Sequence, residues 1–217
     1  MVFFSYGKEW SALKTEQLGP YTLTWPDGVF PLGSDALALG EFATLRPRWK
    51  VCDLGTGSGA LLLLLARRES TISLTGVESD ELSARTAQNN LQANHLPGAI
   101  FQQDLRKTDL PAGSFDLVIS NPPYFAAGSG KGTGQARHEE QCSLPELCTA
   151  AARLLRNGGR FALCHRPERL ADIFCALRAA HLEPKRMKLV SHSPAHPPFL
   201  VLVEAVRQGR PGLTVEP

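Results

Sequence analysis

The feature that most constrains the fold is an alternation of short apolar runs with longer amphipathic runs, which begins near Val51. Such alternation is typical of a parallel sheet whose strands are joined by crossover helices. It predicts one Rossmann-like, doubly wound, mainly parallel α/β sheet of seven strands. The predicted strands are residues 50–54, 72–78, 99–103, 115–120, 159–165, 185–191 and 199–206, and the predicted helices are residues 60–68, 81–94, 144–157 and 168–181.

The chain before the sheet is predicted to form a small cap, residues 1–48, that belongs to the same domain as residues 49–207. In this cap, YTLTW and VFP predict a hairpin with PDG as its turn, followed by a short helix over residues 35–45. Residues 126–140 carry four glycines and few apolar side chains, so we expect a mobile loop there. Residues 208–217 are expected to be a frayed or truncated tail.

Composition narrows the class of protein. A chain of 217 residues with 43% hydrophobic residues suits one domain, and its net charge of +2 leaves room for no more than a local basic face. The longest apolar stretch, residues 60–66, is far shorter than the roughly 20 residues that cross a bilayer, and the first residues lack a cationic leader, so a cytoplasmic protein is expected.

Cysteine and histidine spacing argues against metal and disulfide sites. The five cysteines are an odd number without CxxC spacing, which favours buried reduced thiols. His192 and His196 are four residues apart, but the prolines of SHSPAHPP oppose the helix that would bring them together. No bound metal is expected.

The segment VCDLGTGSGALLLLLARR places a glycine loop between a predicted strand and a predicted helix. Glycines allow a sharp turn and close approach of a ligand, and the helix start offers unpaired amide donors. Glu78 ends the next predicted strand, where a carboxylate can bind two ribose hydroxyls. The pattern predicts a nucleoside-containing cofactor.

Two cofactors compete for this loop. A nicotinamide dinucleotide requires GxGxxG with a pyrophosphate over the helix start, whereas the loop here is GTGSG with Asp53 two residues before the first glycine. A carboxylate repels phosphate and attracts an amino or sulfonium group, so the pattern favours S-adenosylmethionine. Asp104, after the third predicted strand, either accepts a hydrogen bond from the adenine amine or caps a turn.

The stretch SNPPYF follows the predicted strand 115–120 and offers several hydrogen-bond acceptors in a row. An amine conjugated to a ring or a carbonyl is a poor nucleophile, and acceptors for both of its hydrogens free its lone pair for methyl transfer. The Asn121 side chain and the Pro122 carbonyl can supply these acceptors, and Tyr124 can stack on a base. A rigid turn remains the structural alternative.

These motifs together resemble the class I S-adenosylmethionine-dependent methyltransferases, and among them the amino-methylating group with the signature NPPY. The matching stretches are DLGTGSG, VE at 77–78, QD at 103–104 and NPPYF. The resemblance implies the class I methyltransferase fold and that a catalytic clamp of Asn121, Pro122, Pro123 and Tyr124 holds the target amine. It also implies a set of cofactor-binding residues, which are Asp53, Gly55, Thr56, Gly57, Gly59, Glu78, Ser79, Asp104, Leu105 and Asn121.

A closer resemblance is to the bacterial valine-tRNA adenine N6-methyltransferases, through FPLGSDALALGEFA, NPPYF, ARHEE and RQGRPGLTVEP. It implies that Ser34 and Asp35 lie near the methionine end of the cofactor and that the substrate is tRNA near the anticodon. The predicted RNA contacts are Phe125, Lys131, Arg137 and His138, with weaker candidates at Arg166, Arg169, Lys185, Arg186 and Lys188.

Two alternative functions remain open from the sequence. A protein-glutamine methyltransferase that acts on release factors shares NPPY, but about fifty residues precede Asp53, which leaves no room for the helical N-terminal domain of that group. A non-catalytic domain that binds S-adenosylmethionine or RNA is the other alternative, and an intact Asn121–Tyr124 clamp argues against it.

Overall fold

The structure, a computed structural model, describes residues 13–122, 142–193 and 195–217. Within these ranges it contains ten strands and five α-helices. The strands are β1 Lys14–Leu18, β2 Tyr21–Trp25, β3 Lys50–Leu54, β4 Ser73–Glu78, β5 Gly98–Gln102, β6 Phe115–Ser120, β7 Leu155–His165, β8 Leu182–Val190, β9 Leu200–Arg207 and β10 Thr214–Glu216. The helices are α1 Ser34–Phe42, α2 Ala60–Arg68, α3 Glu81–Ala93, α4 Leu144–Leu154 and α5 Leu170–Ala179, and short 3₁₀ turns cover Leu105–Lys107 and Pro167–Arg169.

Eight of the described strands form one sheet in the order β10-β8-β9-β7-β6-β3-β4-β5. The pairs β3–β4, β4–β5, β3–β6, β6–β7 and β10–β8 are parallel, and β9 alone runs antiparallel to its two neighbours. The prediction of a doubly wound, mainly parallel α/β fold is therefore confirmed, and all seven predicted strands are present. Parallel strands bring the ends of β3, β4 and β6 to one edge, where loops can build a site.

The apolar residues divide between the two faces of the sheet because side chains alternate along each strand. One face packs against α1, α2 and the hairpin, with Val51 and Leu117 among its buried residues. The other face packs against α4 and α5, with Leu163 and Val203 among its buried residues. Residues 60–66 of α2 are all buried, which explains their continuous apolar sequence.

The N-terminal hairpin differs from the prediction. β2 is YTLTW as expected, but it pairs antiparallel with β1 rather than with VFP. The predicted PDG turn instead follows β2, and the Val29 N–H donates to the Pro26 carbonyl at 3.4 Å. β1 was missed because its sequence, KTEQL, has only Leu18 buried and thus no apolar alternation.

Two asparagines on α3 attach this hairpin to the body of the protein. The side chains of Asn90 and Asn94 exchange hydrogen bonds of 2.8–3.0 Å with the N–H and carbonyl groups of Thr24 and Thr22. These amides satisfy the outer edge of β2 as another strand would. The cap is therefore fixed over α3.

Several predicted boundaries differ by three or four residues, since α1 ends at Phe42, β7 begins at Leu155 and β8 begins at Leu182, and two differences affect the sheet. α4 ends at Leu154 rather than at residue 157, because Leu155 pairs with Phe115 in the sheet and the Gly113 and Ser114 N–H groups cap the last carbonyls of the helix. The expected frayed tail contains β10, whose residues 214–216 pair in parallel with residues 186–188 of β8. The proposed division into residues 1–48, 49–207 and 208–217 stays a prediction.

A buried charge network joins the end of α1 to the far part of the sheet. Glu204 of β9 is fully buried and lies 2.6 Å from Arg160 and 3.1 Å from Arg186. The Thr44 N–H and hydroxyl donate to the same carboxylate at 2.7 and 2.8 Å. Arg186 also pairs with Glu216 of β10 at 2.6 Å, which gives it a structural role, and its contact with RNA stays a prediction.

Among the described residues, no helix is long and apolar enough to cross a membrane, and no group of three or more His, Cys, Asp or Glu side chains could hold a metal ion. All five cysteines are free thiols. Cys52, Cys148 and Cys164 are buried as expected, whereas Cys175 is exposed and Cys142 is half-buried.

Candidate active site

The glycine loop turns tightly over the end of β4. The N–H groups of Gly55 and Thr56 both donate to the Val77 carbonyl, at 2.9 and 3.1 Å. Gly57 has a φ of 56°, and a Cβ atom built on it would meet nothing within 4 Å. The loop therefore leaves open space above its main chain, as a cradle for a ligand requires.

Gly59 serves a different purpose in the same loop. It is the N-cap of α2 with a φ of 81°, and a Cβ atom there would lie 3.2 Å from the Cβ atom of Ala87 on α3. Gly76 in β4 is equally constrained, since a Cβ atom would lie 2.8 Å from the Thr56 side chain. Sequence reasoning assigned Gly59 to the cofactor and overlooked Gly76. The structure indicates that both allow close packing beneath the loop.

Asp53, at the end of β3, is a buried carboxyl group that is only half satisfied. Its Oδ2 accepts a hydrogen bond of 2.7 Å from the Thr56 hydroxyl, while Oδ1 is buried and has no hydrogen-bond partner among the described residues. Burial raises the pKa of Asp53 to about 7, against the lowering effect of the Thr56 hydrogen bond. A ligand N–H group or positive charge at Oδ1 would complete this site.

Glu78 lies beside the loop at the end of β4, as predicted. One carboxylate oxygen accepts from the Gly57 N–H at 2.9 Å, and the other accepts from the Asp80 N–H at 2.9 Å. Ser79 is exposed, and its hydroxyl lies 3.4 Å from the Glu78 carboxylate. These contacts fix the orientation of Glu78 towards the loop and leave it half-buried.

Asp104 takes the capping role that the sequence left open. It is the N-cap of the 3₁₀ turn Leu105–Lys107, and its carboxylate also pairs with the Arg106 guanidinium at 2.6 Å. The hydrogen bond from Arg106 lowers the pKa of Asp104. Arg106 has a second acid within reach, Glu146 at 3.4 Å. Contact between Asp104 and an adenine amine stays a prediction, and it requires competition with Arg106.

The clamp begins where β6 ends. Asn121 is half-buried, and the Cys164 thiol donates to its side-chain oxygen at 3.0 Å. Ser120 is buried and donates to the Leu54 carbonyl at 2.7 Å, which fixes the end of β6 to the end of β3. The remaining predicted residues of the clamp and the RNA contacts lie outside the described residues; they are Pro123, Tyr124, Phe125, Lys131, Arg137 and His138.

A cavity of about 220 Å³ joins the glycine loop to the clamp. Four predicted site residues line it: Gly55, Leu105, Asn121 and Pro122. Ser34 and Asp35 begin α1 and hydrogen-bond to each other at 3.1 Å, so their predicted place beside the cofactor stays a prediction. The remaining lining residues were not predicted for the cofactor or the clamp, and Arg169 was predicted only as a weaker candidate for RNA contact; they include Cys142, Ser143, Leu144, Leu147, His165 and Arg169.

His165 is the most polar residue that the sequence analysis missed in this wall. It ends β7 and is buried, and its Nδ1 accepts from the Arg166 N–H at 2.8 Å, which places the proton of the neutral ring on Nε2. Burial lowers its pKa to about 4, so the ring is neutral at physiological pH. A histidine at the end of a predicted strand, at the carboxyl edge of the sheet, was the available signal.

These residues fit an S-adenosyl ligand on three observations. Asp53 Oδ1 is a buried acceptor that needs a donor, Gly57 leaves a bare cradle, and Glu78 presents a carboxylate one strand away. A pyrophosphate would place negative charge beside both acids, which Coulomb repulsion opposes. The fit therefore favours a ligand with an amino or sulfonium group.

The described residues adopt the class I methyltransferase fold, with a pocket at the carboxyl edge of its sheet. The structure is similar to that of a predicted O-methyltransferase, protein Atu636 from Agrobacterium tumefaciens, with a TM-score of 0.70 and 23% identity over 84% of this chain and 85% of that one. It is also similar to geranyl diphosphate C-methyltransferase from Streptomyces coelicolor A3(2), solved with S-adenosyl-L-homocysteine, with a TM-score of 0.61 and 14% identity over 79% of this chain and 78% of that one. Such identities establish the fold alone.

Residues 32–170 match the methyltransferase small domain, and the chain belongs to that family. A relative from Parabacteroides distasonis is 30% identical over 195 residues, which cover 87% of this chain and 81% of the relative. Another from Pseudoalteromonas translucida is 34% identical over 135 residues, which cover 61% of this chain and 58% of the relative. Both carry the name tRNA1(Val) (adenine(37)-N6)-methyltransferase.

Proposed function

We propose that this protein is a cytoplasmic enzyme that transfers a methyl group from S-adenosylmethionine to the N6 amine of an adenine in tRNA, next to the anticodon. The observation that carries the proposal is the cavity that connects Gly55 of the glycine loop with Asn121 and Pro122. A methyl donor and an amine acceptor must meet within one site, and this cavity joins the two predicted halves. The names of the relatives from Parabacteroides and Pseudoalteromonas support the choice of substrate.

In this proposal, S-adenosylmethionine supplies an electrophilic methyl group on a sulfonium centre. The residues that hold it are Asp53 through the buried Oδ1, the Gly55–Gly57 main chain, and Glu78 through the ribose hydroxyls. Asp53 is ionised more readily when a positive charge lies beside it, so cofactor binding lowers its raised pKa. Cofactor binding is thereby coupled to the protonation state of the buried Asp53 carboxyl group.

Asn121 prepares the acceptor amine. Its side-chain oxygen has two lone pairs, and the Cys164 thiol donates to this oxygen at 3.0 Å, which holds the amide in one orientation. A target N–H at the same oxygen, with the second N–H at the Pro122 carbonyl, draws the nitrogen away from conjugation with the ring. The nitrogen becomes acidic only as it is methylated, so its proton can pass to water without a dedicated base.

The test is methyl transfer from radiolabelled S-adenosylmethionine to bulk bacterial tRNA, followed by digestion and separation of nucleosides. We expect label in N6-methyladenosine, with rates that fall as salt rises because phosphate contacts weaken. Bacterial release factor and total bacterial DNA serve as competing acceptors in parallel reactions. Transfer to the release factor but not to tRNA would establish the glutamine alternative, and binding of S-adenosylmethionine without transfer to any acceptor would favour the non-catalytic one.

A further inference from the structure

The loop between β8 and β9 carries an exposed aromatic stack that the proposed chemistry does not use. The rings of His192 and Phe199 lie nearly parallel, at an interplanar angle of 9°, with centroids 4.3 Å apart. Phe199 is half-buried against the core, whereas His192 is exposed. One face of the imidazole therefore rests on Phe199, while the His192 residue as a whole stays exposed.

The main chain that carries the Phe199 ring is fixed by hydrogen bonds on both sides. The Phe199 N–H donates to the Val190 carbonyl at 2.9 Å, which closes the β8–β9 hairpin, and the Arg166 guanidinium donates to the Phe199 carbonyl at 3.4 Å. Arg166 follows directly after His165, which lines the cavity. The stack is thus attached both to the sheet and to the wall of the candidate active site.

The stack also lies at the same edge of the sheet as the clamp. β8 ends and β9 begins at this edge. In the strand order β8-β9-β7-β6, β9 lies two strands and β8 three strands from β6. With neighbouring strands about 4.8 Å apart, the loop is about 10–14 Å from Asn121 along the sheet. That separation suits a nucleotide that flanks the one in the cavity.

We propose that the His192–Phe199 stack is a platform on which an unpaired RNA base next to the target nucleotide stacks during methylation. The inference rests on the proposed function and adds a second contact to the same substrate. Every base has a flat face, and single-stranded nucleic acid is commonly bound by stacking on aromatic and histidine rings. A planar ring backed in parallel by a fixed aromatic ring has the geometry for such a contact.

The loop supplies its own control residue. His196 is also exposed, but its Nδ1 lies 2.7 Å from the Ser193 hydroxyl and the ring does not form the stack with Phe199. His192→Ala should raise the Kd and KM for tRNA by about fivefold to 150-fold, the range for loss of one stacked base, with kcat changed much less. His192→Phe should keep most of the affinity, and His196→Ala should resemble the wild type.

Two measurements distinguish an RNA contact of His192 from a structural role. S-adenosylmethionine affinity, measured by calorimetry, and the melting temperature should be unchanged in His192→Ala, because the ring is exposed and distant from the glycine loop. Equal losses in His192→Ala and His196→Ala, or loss of cofactor affinity in His192→Ala alone, would overturn the platform.

The decisive experiment pairs the variants with tRNA that lacks one base at a time around the target adenine. With the wild type, one abasic position should lower tRNA affinity more than its neighbours do. With His192→Ala the same position should cost little, since the contact is already lost, and this coupling would identify the stacked base. Additive losses at every position would refute the inference. If the wild type methylates no tRNA at all, the proposed function fails instead.

Discussion

Replacement of Asp53 by Asn tests the central electrostatic feature of the site. Asp53 is buried, and its Oδ1 has no hydrogen-bond partner among the described residues, so the folded protein without cofactor holds a poorly solvated carboxyl group. Burial raises its pKa from 3.8 to about 7. The substitution Asp53→Asn keeps the shape of the side chain and removes the charge.

The sign and size of the effect follow from proton linkage. Between pH 4 and pH 7 the folded protein binds more protons at Asp53 than the unfolded chain does, so the free energy of unfolding falls as the pH rises. Integrated from pH 5 to pH 8, this one carboxyl group should cost the wild type about 2.5 kcal/mol. Asp53→Asn has no carboxyl group that titrates, so its stability does not fall in this way as the pH rises. Relative to the wild type, the variant should therefore become about 2.5 kcal/mol more stable between pH 5 and pH 8.

The assay is urea unfolding of cofactor-free protein at pH 5, 6, 7 and 8, followed by tryptophan fluorescence. Asp27→Asn, at an exposed carboxylate paired with Lys14, is the control and should leave the pH dependence unchanged. Thr56→Val removes the hydrogen bond that lowers the pKa of Asp53, so the loss of stability should extend to higher pH. A difference between Asp53→Asn and the wild type that stays constant from pH 5 to pH 8 would refute the reasoning.

Two further outcomes are expected from substitutions elsewhere. Asn121→Ala should lower kcat by about a hundredfold while the Kd for S-adenosylmethionine stays within about twofold. Glu78→Ala should instead raise that Kd by about tenfold or more. Calorimetry and single-turnover rates that show the reverse would reject the assignment. Glu204→Ala should cost about 3–5 kcal/mol in urea unfolding because it leaves Arg160 and Arg186 without their buried partner, and Glu204→Gln should cost less; a loss below about 1 kcal/mol would contradict the role of the network.

The sequence predicted the sheet well because its strands carry clear physical signals. In FDLVIS, for example, Phe115 and Leu117–Ile119 are buried, and these apolar residues mark the strand. β1 and β10 carry no such signal. They lie outside the interior of the large sheet, their residues are mostly exposed, and main-chain hydrogen bonds define them. A pattern of side-chain burial cannot reveal strands that bury few side chains.

The site was predicted where motifs are local and missed where partners are distant in sequence. Asp53 and Gly57 lie in one local loop, and Glu78 ends the next strand in both the sequence and the sheet, so a motif can locate all three. Cys164 meets Asn121 only through the pairing of β6 with β7, which no local motif encodes. The ion pair between Asp104 and Arg106, two residues later, could have been predicted, because an acid before a turn that contains an arginine favours such a pair.

The contacts of Thr44 have a consequence for synthesis on the ribosome. Thr44 bonds to Glu204 and Arg186, which follow it by 160 and 142 positions. A growing chain can complete α2 and pack α1 against it, through the bonds from Arg68 to the Gly40 and Ala43 carbonyls, long before β8 and β9 leave the exit tunnel. Thr44, just after α1, gains Glu204 and Arg186 only after those strands are synthesised. The junction between α1 and the far part of the sheet is therefore among the last contacts of the fold to form during translation.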